Sequence, residues 1–279
     1  MLHGISSFVA MNHRITTAWL DRVWEAGIPL VELFCARQSV DYRNPAQMAE
    51  LGHWFKDSQL KLHSVHAPLY RDDCNGRTGP GSVVNIADTS RFPRLEAVDE
   101  VKRAIEIVEC VQFKYLILHI GVPQEEYDER KVEAAFNSVA ELNVFARDRG
   151  VEILLENIPN RMSSAERLLG FLSETRLENG FCFDTGHAQL TGNLEREWEL
   201  MRDRVRSTHL HDNDGNEDGH LYPRLSDGGT IDWTRTMKLL RSRDRQYPLM
   251  LKVPEPAGKE PALALACRVF ELLEDTGHE

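Results

Sequence analysis

The sequence predicts a (β/α)8 TIM barrel forming a single domain over residues 1–279, and three observations predict it. Short apolar runs rich in Val, Ile, Leu and Phe alternate with longer segments of helical period. Shared among eight units, the chain allows about 35 residues each, the size of one strand–helix repeat. The first apolar run leads into Ala10-Met11-Asn12-His13, whereas an open doubly wound sheet usually places a glycine-rich phosphate turn there. No linker or shift in composition divides the chain.

Strands are expected at residues 4–9, 30–35, 60–67, 115–121, 151–158, 180–185, 205–212 and 249–253. Helices are expected at 16–26, 46–59, 165–173, 195–204, 232–242 and 260–274. Two more follow from apolar residues recurring every three or four positions, as a single buried helix face demands. One carries Leu95, Val98, Val101, Ile105 and Val108, and the other Val132, Ala135, Phe136, Val139, Leu142 and Phe145. Asn44 before Pro45, and Asp232 shortly after Thr230, are helix start signals. Residues 70–91 and 213–230, rich in Gly and Asp, are long connections leaving the third and seventh strands. Loops of that length in a compact domain more often serve function than accident.

The hydrophobic content of 42% and charged content of 28% are ordinary for a soluble globular chain. A net charge of −11 argues against a partner gripped mainly through phosphates, nucleic acid above all. No run approaches the ~18–20 apolar residues of a membrane span, and the N-terminus lacks a secretory pattern. Five widely spaced cysteines without a CxxC pair read as reduced, mostly buried thiols, and a cytoplasmic location is expected.

Five consecutive strands end in imidazole or carboxylate. The third ends at His66, the fourth at His119, and the fifth at Glu156, followed by Asn157. The sixth gives Asp184 and His187, and the seventh His209 and His211, with Asp218 and His220 in its loop. In a barrel those ends converge on one pocket. His, Asp and Glu together are the ligands of zinc, manganese or ferrous iron, and carboxylates so gathered repel one another unless cations join them. His209 shares a face with His211 and is left between supporting a ligand and a plain core role. A lone histidine is more often structural than a ligand, and His3, His13, His53, His63 and His278 are assigned to that category. No GxSxG elbow is present, and Gly79-Pro80-Gly81 is a loop signal rather than a phosphate cradle.

The segments HSVHAPL, LILHIG, LLENIPN, FDTGHA, HLHDNDG and GGTIDW resemble the xylose isomerase-like superfamily of TIM barrels. That group includes sugar phosphate isomerases/epimerases and endonuclease IV-type enzymes. The resemblance spans essentially the whole chain and implies a divalent-metal enzyme holding one to three ions, zinc or manganese. The endonuclease-like pattern puts one ion on His66, His119 and Glu156. It puts a second on Glu156, Asp184 and His211, and a third on His187, Asp218 and His220. In the epimerase branch a single ion resembles the second of these, completed by a glutamate on the eighth strand. Here that position is Lys252, within Pro248-Leu249-Met250-Leu251-Lys252. An ammonium group does not coordinate metal, so Lys252 is expected to transfer a proton from a lowered pKa or to bind a substrate anion, rather than to be rescued by Glu255.

The leading expectation is a metal-dependent isomerase or epimerase of a sugar, sugar phosphate or related hydroxy-carbonyl compound. It would work through an enediolate, with Glu156 as base and Lys252 as the second catalytic group. The alternatives are an endonuclease IV-type phosphoester hydrolase and a sugar-binding barrel that has lost activity. Asn157, Arg161, Arg224 and His209 are the residues expected to support ligands or touch a carbohydrate-like substrate. The sequence leaves homo-oligomer formation open.

Overall fold

The computed structural model describes residues 1–243 and 245–276. Among the described residues the strands are β1 (His3–Ser6), β2 (Leu30–Phe34), β3 (Lys61–His66), β4 (Tyr115–Leu118), β5 (Glu152–Glu156), β6 (Gly180–Asp184), β7 (Val205–His209) and β8 (Leu249–Leu251). Each lies parallel beside its neighbour in sequence, and β8 returns to pair with β1. The ring closes through a Leu210–Leu251 bridge, with Leu210 N–H donating to Met250 O at 2.8 Å and Lys252 N–H to Leu210 O at 3.1 Å. The fold is therefore the (β/α)8 barrel that the repeat length predicts.

The surrounding helices are α1 (Thr17–Glu25), α2 (Pro45–Asp57), α3 (Arg91–Ile105), α4 (Glu129–Arg147), α5 (Ala165–Thr175), α6 (Thr185–Leu190), α7 (Leu194–Met201), α8 (Trp233–Arg241) and α9 (Ala262–Asp275). Helix α5 illustrates how the sequence builds them. The Ser164 side chain accepts the Arg167 N–H, and Ala165, Leu168, Phe171 and Leu172 then share the buried face. Leu168, Phe171 and Leu172 each contribute roughly 1.5–3 kcal/mol on burial. Asn44 caps α2 through the Ala46 and Gln47 N–H groups, with Pro45 at its first position, and Asp232 caps α8.

Strand alternation divides the core. Ile153 and Leu155 of β5 join the large apolar layer between sheet and helices, while Leu154 joins Tyr115, Ile117 and Cys182 in the lumen. Two residues further along, on the same face, stand Glu156 and Asp184. A small apolar plug thus fills the lumen below, and the polar side chains crown it at the carboxyl ends of the strands.

The observed elements differ from expectation in instructive places. β1 stops at Ser6, whose hydroxyl accepts the Phe8 N–H and turns the chain into a 3-10 segment, Ser7–Ala10. The strands expected to run past His119 and Glu156 end earlier, because those side chains face the mouth and the chain leaves the ladder there. Helix α6 was not expected: the Asp184 carboxylate accepts the His187 N–H at 2.9 Å, so β6 runs straight into a helix. The 70–91 connection is folded by a Tyr70–Val83 antiparallel bridge, and 213–230 by an Asp212–Leu221 bridge. The cysteines are free, but only Cys35 and Cys182 are fully buried; Cys74 and Cys267 are half-buried and Cys110 is exposed, on the outside of the barrel. His3 stacks on Phe270, His53 is exposed, and His278 lies outside the described residues. Among the described residues no helix is long and apolar enough to cross a membrane.

Candidate metal centre at the barrel mouth

Two groups of side chains share the mouth. The inner group is Glu156 with His66, His119, His209, Glu32 and Lys252. Glu156 is fully buried, and its Oε2 lies 3.2 Å from His66 Nε2 and 2.9 Å from His119 Nε2. Its Oε1 lies 2.9 Å from His209 Nδ1 and 3.1 Å from Lys252 Nζ. The other His209 nitrogen, Nε2, faces Glu32 Oε2 at 3.0 Å. Carboxylate oxygens accept, so both His209 nitrogens donate and the ring is a cation. Burial pulls the His209 pKa down, and the neighbouring acidic groups, Cys182, Glu32 and Glu156, lift it well above its usual value. Burial raises the Glu32 carboxyl, yet His209, His66 and Lys252 hold it down at about 2. Glu156 is likewise held well below the usual range, its burial outweighed by Lys252, His209 and His119.

Lys252 follows β8 and is almost fully buried. His66 Nδ1 donates to Ala67 O at 2.8 Å, which leaves a lone pair on its Nε2, and Lys252 Nζ points at that atom from 3.4 Å. Burial depresses the Lys252 pKa, but Glu156, Asp184 and Glu32 outweigh it and the net shift is upward. This corrects the expectation of a lowered pKa. Two of the three ammonium N–H groups are directed at Glu156 Oε1 and His66 Nε2. Glu255 does not rescue the site, since it pairs with exposed His13 at 3.1 Å. An ion bound about 2.1 Å from His66 Nε2 would lie within ~5.5 Å of the ammonium. At an effective dielectric constant of about 20, that repulsion costs roughly 6 kcal/mol.

The outer group is His187, His211, Asp218 and His220. His187 Nδ1 donates to Asn157 O at 2.8 Å, and His220 Nδ1 donates to Lys252 O at 2.8 Å. His211 Nδ1 faces Asp212 O at 3.4 Å. Backbone carbonyls only accept, so each Nδ1 holds the proton and each Nε2 presents a lone pair, the arrangement of a metal-ligating imidazole. Those Nε2 atoms lie 3.1 Å (His187), 3.5 Å (His220) and 3.9 Å (His211) from Asp218 carboxylate oxygens. A lone pair facing a carboxylate is repulsive unless a proton or a metal ion stands between them. At His187 a proton can take that role when no ion is bound: burial lowers its pKa, but Asp184, Asp218 and Glu156 prevail and lift it to about 9, so an ion binding there would displace a proton. Burial and the adjacent His211 hold His220 down at about 4. His211 Nε2 lies 2.8 Å from Asp184 Oδ1, another imidazole lone pair set against a carboxylate, and Asp184 Oδ2 is buried with no hydrogen-bond partner. Atoms so placed fit a cation, and the four side chains bring ligand atoms within 4.8 Å of one another, as do His66, His119 and Glu156, and Glu156, Asp184 and His209.

Local structure explains why the outer group assembles. Asn157 ties β5 to β6 by accepting the Asp184 N–H at 2.8 Å and donating to Asp184 O at 3.0 Å. Asp212 anchors the loop that delivers Asp218 and His220, accepting from Asn213, Thr230 and Ile231 N–H and from Trp233 Nε1 at 2.6 Å. His220 itself has φ 44°, a left-handed conformation costing about 1–3 kcal/mol that persists because flanking contacts over-determine it. Gly186 lets α6 pass beside His211: a Cβ there would fall 2.0 Å from His211 Cε1.

The sequence-predicted residues therefore divide. His66, His119 and Glu156 come together, as do His187, Asp218 and His220, and His211 joins the latter. Asp184 borders both groups, and His209 supports Glu156. Arg161 pairs with Glu126 on the surface, and Arg224 is exposed; neither has a contact with the cluster, because both loops turn these side chains to solvent. Glu32 escaped sequence reasoning, although a single carboxylate inside the apolar run Leu30-Val31-Glu32-Leu33-Phe34 was a signal for it.

A closed parallel barrel with imidazoles and carboxylates gathered at its carboxyl-end mouth defines the class: a (β/α)8 barrel with a built polar site. The family model described as xylose isomerase-like TIM barrel matches residues 20–272, and the chain belongs to that family. An uncharacterized protein of Sinorhizobium fredii, y4fM, is 26% identical over 243 residues, covering 78% of this chain and 76% of that protein. A D-tagatose 3-epimerase-like protein superposes with a TM-score of 0.76 at 22% identity, covering 99% of this chain and 97% of its own. The IolI protein, solved with a zinc atom, superposes with a TM-score of 0.74 at 15% identity, covering 99% of this chain and 98% of its own.

Proposed function

We propose that the protein is a divalent-metal-dependent isomerase or epimerase acting on a small sugar or related hydroxy-carbonyl compound. The observation that carries this reading is the set of imidazoles at the mouth whose Nδ1 atoms are fixed by main-chain carbonyls while their Nε2 lone pairs converge on carboxylates. Solved neighbours of the same fold include a D-tagatose 3-epimerase-like protein and zinc-containing IolI, which supports a carbohydrate substrate and a metal.

Residues His187, His211, Asp218 and His220 would hold the ion. When bound, it would supply Lewis acidity, polarising the substrate's hydroxyl and carbonyl oxygens so that the C–H beside them loses its proton more easily. The chain's own groups do the rest. Glu156 stays ionised, and its Oε2 would accept that proton on the side where partly exposed His119 opens the mouth. Lys252 Nζ holds a proton beside Glu156 Oε1 and would return one to the substrate carbon, and the proton taken by Glu156 would then pass to Lys252 across that 3.1 Å contact, restoring both groups. Glu156, Asp184, His211 and Lys252 are buried, so bulk water is kept from the proton in transit. The three-ion phosphoester hydrolase reading is disfavoured because Lys252 stands against the atoms its central ion would need.

The test is solvent-deuterium exchange into a panel of ketoses and keto sugars with zinc- or manganese-loaded protein. The expected result is label at the carbon beside the carbonyl of at least one sugar, abolished in Glu156→Gln. Exchange that survives undiminished in Glu156→Gln would remove Glu156 from the base role, and no exchange with any member would remove the isomerase reading.

A further inference from the structure

We propose that Lys252 is a built-in cation that closes the inner half of the mouth to metal, so that the chain takes one divalent ion, held by His187, His211, Asp218 and His220. The inference deepens the metal-dependent reading above and rests on it.

Inside, His66 Nε2 also faces a carboxylate, Glu156 Oε2 at 3.2 Å, but there the lysine already supplies the cation between them. Lys252 Nζ engages Glu156 Oε1 at 3.1 Å and the lone pair of His66 Nε2 at 3.4 Å. Glu156 Oε2 faces His119 Nε2 at 2.9 Å. The remaining inner carboxylate, Glu32, is met by both the His209 ring at 3.0 Å and the Ser64 hydroxyl at 2.8 Å. An ion entering here would have to displace a buried ammonium from its carboxylate and remain beside it.

Outside, the reverse holds. Three imidazoles from three different segments turn Nε2 toward Asp218; that of His211 also lies 2.8 Å from Asp184 Oδ1, and the adjoining Asp184 Oδ2 is buried without a hydrogen-bond partner. The rim is also where solvent reaches: the side chains of Asp218 and His220 keep 32% and 13% exposure, whereas Glu156 keeps none. Asp218 is thus the carboxylate of the mouth that solvent reaches most, and His119, at 11%, is the inner side chain that reaches the rim. Lys252 serves both halves at once, since its ammonium fills the inner one while its carbonyl oxygen orients His220 for the outer one. Three nitrogens and one carboxylate oxygen select a zinc-like ion over magnesium or calcium, which prefer all-oxygen sites.

The experiment is metal counting on the full chain, stripped with chelator and titrated with zinc alone, read by calorimetry and native mass spectrometry. Wild-type protein is expected to bind one equivalent. Asp218→Ala should weaken that binding at least 100-fold, His119→Ala should leave one equivalent in place, and Lys252→Glu should admit a second. If Lys252→Glu does not fold, the Asp218 and His119 variants still decide. Two or more equivalents on the wild type, or an ion lost in His119→Ala and kept in Asp218→Ala, would overturn the proposal. One outer ion without deuterium exchange into any sugar leaves this inference standing and defeats the isomerase reading. Exchange with two ions bound does the opposite.

Discussion

His209 and His211 leave the same strand two residues apart and end in opposite surroundings. Both nitrogens of His209 are consumed by carboxylates, Glu156 on one side and Glu32 on the other. His211 has one nitrogen against a main-chain carbonyl and the other, its lone pair outward, 2.8 Å from Asp184 Oδ1. The first is a self-sufficient cation in an ion-pair cage; the second sets a lone pair against a carboxylate, as the proposed ion would require. Around His209 positive charge comes from Lys252; around His211, on the reading proposed above, it would come from the bound ion. Identical residue types on one strand thus do different work according to whether a lysine reaches them.

The sharpest way to break this division is to remove the carboxylate at its centre. Glu156→Gln keeps the shape but leaves Lys252 and His209 buried with one fewer counter-charge, which costs about 3–5 kcal/mol. Denaturant unfolding of metal-free protein should show that loss, while outer zinc binding persists. A variant as stable as the wild type would mean the inner cage is not ionic.

A second expectation concerns pH. His63 lies under the inner group, with Nε2 3.2 Å from Ser207 Oγ, and burial lowers its pKa from 6.5 to about 4. As pH falls, the unfolded chain takes up this proton before the folded one does. The stability tied to a neutral His63 is therefore whole above pH 6.5 and drains away as pH falls toward 4. The loss is roughly 3 kcal/mol at one pKa unit per 1.36 kcal/mol. His63→Gln should flatten that decline in urea titrations between those pH values; an unchanged slope would contradict a neutral buried imidazole.

Gly186→Ala acts on the outer half alone. The added methyl meets the His211 ring, so overpacking of roughly 1–3 kcal/mol is expected, together with a loss of zinc affinity of about 10–100-fold, as when ligand supports fail. Calorimetric titration measures it, and undiminished affinity would show that His211 is not a ligand.

Much of this was legible in the sequence, for definable reasons. The barrel followed from repeat length and from strand and helix periods, which are local properties of the chain. The ligand types followed from their place at strand ends, where a closed ring must bring them together. What the sequence did not reveal were side-chain directions. Asp184 ends a strand and caps α6 at the same time, and that dual role was hidden because its signal is a single residue followed by Thr185-Gly186. Nor could the pattern tell that Lys252 points inward to Glu156 while Arg161 points out to Glu126, since both are lone cations just beyond strands. Glu32 went unnoticed because it lies within an apolar run rather than at its end, although its burial required a partner, and His209 is that partner.

The division of the mouth is tested most directly by anomalous diffraction at the zinc edge from crystals of the wild-type protein grown with zinc. The account predicts one strong peak bounded by the side chains of His187, His211, Asp218 and His220, with Lys252 Nζ still on Glu156. A peak between His66, His119 and Glu156, with the lysine displaced, would contradict it.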